Sequence, residues 1–177
     1  MHQTELILQR TAAINKGTVF YHFNLMQSNT NSPSIYRKHQ ICFFESHYTE
    51  PKSVLISGES GTSDPLSIWD IGGTTKWSTN WTDVVWHNVA YEIGRLLDNF
   101  GFLVALWHSA GSDPLTLTVP AVSTSVSSNG VDWHLGVLEL PVSDQKDSTE
   151  DFFFSGVHIE SSSLTKTVTG PAGVSRP

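Results

Sequence analysis

Turn signals recur along this chain too often to leave room for long helices. Asn29-Thr30-Asn31-Ser32-Pro33-Ser34, Gly58 to Pro65, Gly111-Ser112-Asp113-Pro114 and Ser127-Ser128-Asn129-Gly130 all have the composition of turns or loops. Between them stand short runs rich in Val, Ile, Phe, Tyr and Trp, the residues that suit a pleated, half-buried surface. Thr4 to Leu8, Gly17 to Leu25, Ile41 to Tyr48, Lys52 to Ser57, Trp77 to Trp81, Val84 to Ile93, Phe102 to Trp107, Leu115 to Val119, Val131 to Leu140 and Phe152 to Glu160 read as strands. Ala90 to Asn99 is ambiguous, because Leu96 and Leu97 with their charged neighbours also suit a helical turn. No strand alternates with a helix, which argues against a parallel α/β fold. The expected fold is all-β, an antiparallel two-sheet sandwich of jelly-roll type.

At 177 residues the chain is long enough for one domain with a sizeable core. The sandwich is expected over residues 1–160, with 161–177 a polar C-terminal tail or edge segment. The first strand begins almost at Met1, which suggests that N-terminal strands of the sandwich are missing. A net charge of -7, with no basic cluster larger than Arg37-Lys38, argues against a nucleic-acid surface. No window is long and apolar enough for a transmembrane helix, and the start does not read as a signal peptide. Cys42 is the only cysteine, so no intrachain disulfide forms. Its apolar strand marks it as a buried structural thiol.

The candidate chemistry begins with Glu45. Within Ile41-Cys42-Phe43-Phe44-Glu45-Ser46-His47-Tyr48, alternation places Ile41, Phe43, Glu45 and His47 on one face, with His39 two residues before Ile41. A carboxylate among aromatics is costly to desolvate, and such surroundings raise its pKa into the range useful for proton transfer. Glu5 is a second acid in a strand-like run. Two carboxylates projecting into one cleft would suit glycoside hydrolysis, although an exposed or ion-paired acid also explains each singly. His39 and His47 beside Glu45 would also permit a metal site, but positions eight apart on one strand lie too far from each other.

Three Trp-His dipeptides, Trp86-His87, Trp107-His108 and Trp133-His134, each send their two members to opposite faces. His134 enters an apolar strand after a turn, where it would orient a carboxylate, relay a proton, or simply sit satisfied in the core. Trp69, Trp77 and Trp81, in a loop-rich stretch, are candidates for stacking on sugar rings.

Several of these runs are ordered motifs. Thr4-Glu5-Leu6-Ile7, Thr11 to Gly17, His39 to His47 with Phe43-Phe44-Glu45-Ser46 at its centre, Ser57 to Asp64, Val85-Trp86-His87-Asn88, Leu106-Trp107-His108-Ser109 and Asp132-Trp133-His134-Leu135-Gly136 resemble the catalytic domain of glycoside hydrolase family 131. The resemblance runs from Thr4 to about Glu160. It implies a jelly roll, secreted from a fungal cell, that hydrolyses β-1,3-, β-1,6- and β-1,4-glucans without a cofactor or metal. It implies Glu5, Glu45 and His134 as the catalytic groups. His39, His47, Trp69 and Trp77 are the expected substrate contacts, β-glucan the expected partner, and a monomer the expected state. Two motifs depart from the family pattern. His2-Gln3 stands where relatives resemble Arg-Arg, and Arg37-Lys38 where they resemble His-Glu. These changes favour, as a rival, a carbohydrate-binding module without catalysis, and the closeness of Met1 to the Glu5 motif favours a third reading, an inactive fragment.

Overall fold

In the computed structural model the longest, most apolar runs are central strands. It describes residues 2–9, 17–34, 38–45, 54–57, 67–68, 70–71, 74–79, 81–95, 102–124, 132–139 and 149–168. Thr18–Gln27 (β2) lies inside a sheet because Val19, Tyr21, Phe23 and Leu25 form a continuous apolar face. Its neighbours are His87–Arg95 (β8) on one side and Phe152–Ser161 (β12) on the other. Phe102–Ala110 (β9) and Thr116–Thr124 (β10) complete a five-stranded sheet in the order β10-β9-β8-β2-β12. Pro120, which has no N–H for a ladder, falls on β10, an edge strand.

That sheet is the second; the other five-stranded sheet, the first because it opens with β1, has the order β1-β11-β3-β4-β5, from His2–Gln9 (β1), Asp132–Glu139 (β11), Lys38–Glu45 (β3), Val54–Ser57 (β4) and Ser67–Ile68 (β5). Asp70–Ile71 (β6) and Thr74–Thr75 (β7) form a small ribbon. Every described strand pair is antiparallel, and the described residues contain no helix. The all-β jelly-roll sandwich expected from the sequence is the fold.

The two sheets meet through a layer of large side chains. Trp133 of β11 is 1% exposed and packs edge-on against Tyr21 of β2, with ring centroids 5.2 Å apart. Its indole N–H donates to Cys42 Sγ at 3.1 Å. Cys42 is the buried structural thiol expected, and burial pushes its pKa up to about 12 against the opposing effect of the Trp133 hydrogen bond. Phe23 and Tyr91, with Leu25, Val89, Leu106 and Leu135, extend the layer. Burial of such side chains stabilises by roughly 1.5–3 kcal/mol each before entropy is counted.

Three local expectations need correction. The Ala90–Asn99 ambiguity resolves to strand as far as Arg95. The described residues of Trp77–Trp81 form no strand: Lys76 to Ser78 are irregular, and among the described residues of this stretch only Thr79 makes an isolated bridge. The third concerns β3. Its pairing with β4 slips between Gln40 and Cys42, so β3 carries an irregularity at Ile41. Ile41 and Cys42, adjacent in sequence, are both fully buried in the core. Alternation therefore breaks there, and His39 and Ile41 do not share the face of Phe43 and Glu45.

The second sheet is also covered on its outer face. His22 and Asn24 of β2 point away from the core yet are buried. Residues 162–168 lie there: Ser162 N–H donates to Thr18 O, Leu115 N–H to Lys166 O, and the Lys166 ammonium sits 4.7 Å from the Trp107 ring centroid. No helix among the described residues is long and apolar enough to cross a membrane.

Candidate active site

β11 is the middle strand of a three-strand strip, with β1 on one side and β3 on the other. Residues opposite one another across a ladder share a face. Leu8 and Phe44 pair with Trp133, and Leu6 and Cys42 with Leu135, which makes these positions the core side. The opposite side is set by the same register. Ile7 and Phe43 flank His134, Glu5 pairs with Gly136, and Glu45 pairs with Asp132. Glu5, His134 and Glu45 are thus assigned to one face, the outer face of the first sheet, on three adjacent strands.

His134 lies between the other two. Glu5 is offset from it by two residues in one direction along the strip and Glu45 by two in the other. With strands about 4.8 Å apart and a rise of about 3.4 Å per residue, the Glu5 and Glu45 Cα positions are roughly 16 Å apart along the diagonal. Although it faces away from the core, His134 is only 7% exposed.

The other sequence candidates lie elsewhere. His39, expected on the face of Glu45, is turned inward: it is 2% exposed, its Nε2 lies 2.5 Å from Glu150 Oε2, and its ring is 5.3 Å from that of Phe152 in the facing sheet. Trp77 packs against the core cluster and lies 4.6 Å from the His108 ring of β9. His47 and Trp69 lie outside the described residues.

The Trp-His dipeptides divide in their sidedness. His87 and His108 point inward, with His87 Nδ1 3.1 Å from His108 Nε2. Trp107 is the outward member of its pair and donates from Nε1 to Glu92 at 2.8 Å. Burial lowers the pKa of both inward histidines to about 4, helped in His108 by the neighbouring His87. In the third dipeptide Trp133 is the inward member and His134 the outward one. His22, His158 and Glu160, none of them a candidate from the sequence, meet on the outer face of the second sheet. The available signal was His158-x-Glu160, two strand residues with period-two spacing.

A jelly-roll sandwich with two carboxylates and a histidine assigned to one sheet face has the residue types of a glycoside-hydrolysing domain. The family model for the glycoside hydrolase 131 catalytic N-terminal domain matches residues 1–165, and the chain belongs to that family. It is similar to the crystal structure of a GH131 beta-glucanase catalytic domain from Podospora anserina, with 54% identity and a TM-score of 0.77, covering 94% of this chain and 67% of that one. It is also similar to the catalytic domain of the glycoside hydrolase family 131 protein from Coprinopsis cinerea, with 35% identity and a TM-score of 0.74, covering 94% of this chain and 65% of that one. The chain therefore spans about two thirds of the length of these solved domains. No curated protein matches the sequence.

Proposed function

We propose that this protein hydrolyses β-glucans, with Glu5 and Glu45 as the acid/base pair and His134 between them. The single observation that carries the reading is the strand order β1-β11-β3, which assigns the three positions to one face although they are distant in sequence. The substrate class follows from the Podospora relative, a β-glucanase. On this reading β-1,3-, β-1,6- and β-1,4-linked glucans are all substrates. A polymeric glucan does not enter a cell, so the protein works outside it.

In the proposed mechanism one glutamic acid protonates the glycosidic oxygen as the bond breaks. The other, ionised, takes a proton from the attacking water and stabilises the oxocarbenium-like transition state. A diagonal of roughly 16 Å between backbones favours the wider carboxyl spacing, about 6.5–9.5 Å, that leaves room for water and gives inversion. The closer pair of a retaining enzyme, about 5–5.5 Å apart, needs a shorter diagonal. His134 orients the water or one carboxylate. It does so as a positioning group, held in place by the Trp133 side chain buried on the reverse of its strand.

Reducing-sugar release from β-1,3/1,6- and β-1,4-glucans by the purified chain, beside Glu5→Gln and Glu45→Gln, tests the proposal. Release that falls by about 100-fold or more in each folded variant supports it. Full activity in both variants refutes the pair. A second reading, a glucan-binding module without catalysis, is favoured by Gln3, which shares the face of Glu5 and stands where relatives resemble arginine. Binding of glucan without hydrolysis by a cooperatively melting protein would establish it.

A further inference from the structure

We propose that His22, His158 and Glu160 form a binding site for a divalent late transition metal ion, with zinc the fitting occupant, on the outer face of the second sheet. The site lies on the opposite sheet from Glu5, His134 and Glu45 and does not rest on the proposed hydrolytic role.

The backbone brings the three residues together. His22 and His158 are directly opposed across the β2–β12 ladder, and Glu160 follows His158 by two, on the same face. A register shift between Ser155 and His158, with Gly156 at φ +60°, aligns the histidines. One donor atom from each residue lies within 4.8 Å of the others. His22 Nε2 is 3.0 Å from Glu160 Oε2, and His158 Nε2 is 3.9 Å from Glu160 Oε1. Donors about 2.0–2.2 Å from zinc in a tetrahedral shell stand roughly 3.4 Å apart, between these two values.

The outer partners suit metal ligands. His158 Nδ1 lies 2.8 Å from Gly156 O; a carbonyl only accepts, so Nδ1 carries the hydrogen and the neutral ring keeps its lone pair on Nε2. Glu160 Oε2 accepts from the Thr165 backbone N–H at 2.8 Å. Burial and the neighbouring His158 lower the pKa of His22 and outweigh the opposing pull of Glu160. Burial alone would raise the Glu160 pKa; the Thr165 hydrogen bonds and the two histidines outweigh it and hold the carboxyl below its usual range. Two imidazole nitrogens and one carboxylate make a donor set whose composition suits zinc.

The rings now stack, 4.2 Å apart and 12° from parallel, so their lone pairs do not yet converge. Convergence needs a tilt of the His158 ring, the more exposed of the two, with its side chain 50% exposed against 5% for His22. On binding, zinc takes the place of the His22 Nε2 hydrogen, which moves to Nδ1. A cavity of about 50 Å³, bordered by His22, Asn24, Leu115, His158 and Thr165, adjoins the two histidines and is large enough for a water. The ion would clasp the edge strand β12 to β2, and through Thr165 it would hold residues 162–168 against the sheet.

The test is zinc binding to the chelator-stripped full chain by equilibrium dialysis with metal analysis, together with thermal melting. The expected result is one equivalent of zinc bound, and a Tm about 5–10 °C higher at a hundredfold excess over Kd. His158→Ala and Glu160→Gln should each weaken binding by about 100-fold or more and abolish the shift. His158 is exposed, so its variant should melt like the wild type without zinc. If that variant does not fold, Glu160→Gln alone decides. No bound equivalent, or the same affinity in the folded variants, overturns the proposal and leaves a hydrogen-bonded cluster that merely fastens residues 162–168.

Discussion

Gly156 allows backbone strain and steric overlap to be separated by experiment. It lies mid-strand in β12 at φ +60°, where a Cβ costs about 1–2 kcal/mol on backbone grounds alone. An added Cβ would also come 2.6 Å from Asn24 Nδ2 and 3.1 Å from its Cγ. Asn24 is 8% exposed on a central strand and must be displaced to make room, and overpacking of this kind costs a further 1–3 kcal/mol or about that. Gly156→Ala should therefore destabilise by about 2–5 kcal/mol, lowering Tm by roughly 5–15 °C for a chain of this size. Gly111 provides the control: its φ is +63°, but a Cβ there meets nothing within 4 Å. Gly111→Ala should show the backbone part only, about 1–2 kcal/mol. Urea melts of both variants beside the wild type supply the comparison. Equal losses in the two would refute the overlap with Asn24, and a loss below about 1 kcal/mol in both would refute the strain argument as well.

Three further outcomes follow from the structure. Trp133→Phe removes the indole donor to Cys42 and part of the packing against Tyr21, and should cost about 1–3 kcal/mol in a urea melt; an unchanged midpoint would contradict the place given to Trp133 in the core. His87 and His108 are held neutral by burial to a pKa of about 4, against about 6.5 when unfolded, so the unfolded chain takes up protons first as pH falls. Stability from this pair is thus complete above about pH 6.5 and is lost on the way down to pH 4, by something on the order of 3 kcal/mol for each histidine and about 6 kcal/mol for the two. Melts across that range should show the fall, and His108→Gln should flatten it; an identical slope would show that the pair does not cause it. His134→Asn should lower glucan hydrolysis less than Glu45→Gln does while changing its pH profile, and an unchanged profile would remove His134 from the site.

The strands were legible in the sequence because β-branched and aromatic runs stand between turn clusters, as Phe102 to Trp107 does before Gly111. Cys42 was legible as buried for the same reason. The inward turn of His39 was not. Ile41-Cys42-Phe43-Phe44 is apolar without interruption, so the pattern has no polar marker to show where alternation breaks, and the irregularity at Ile41 leaves no trace in composition. The sidedness of the Trp-His dipeptides was hidden as well, because either member can fill a core. Buried His22 and Asn24 escaped notice because residues 162–168 cover a face that alternation would leave to solvent. The positions of Glu5, Glu45 and His134 within their strands could be read from the sequence. That β11 lies between β1 and β3 is a matter of long-range pairing, which local propensity does not encode.

In the proposed mechanism two carboxylates work across a water at opposite ends of a diagonal through His134. The most direct test is proton NMR of a β-glucan oligosaccharide during the first minutes of hydrolysis, before the new reducing end mutarotates. The α-anomer is expected first, the signature of inversion by a widely spaced pair. First appearance of the β-anomer would mean retention through a closely spaced pair, and would contradict the placement of catalysis on Glu5 and Glu45 across the β1-β11-β3 strip.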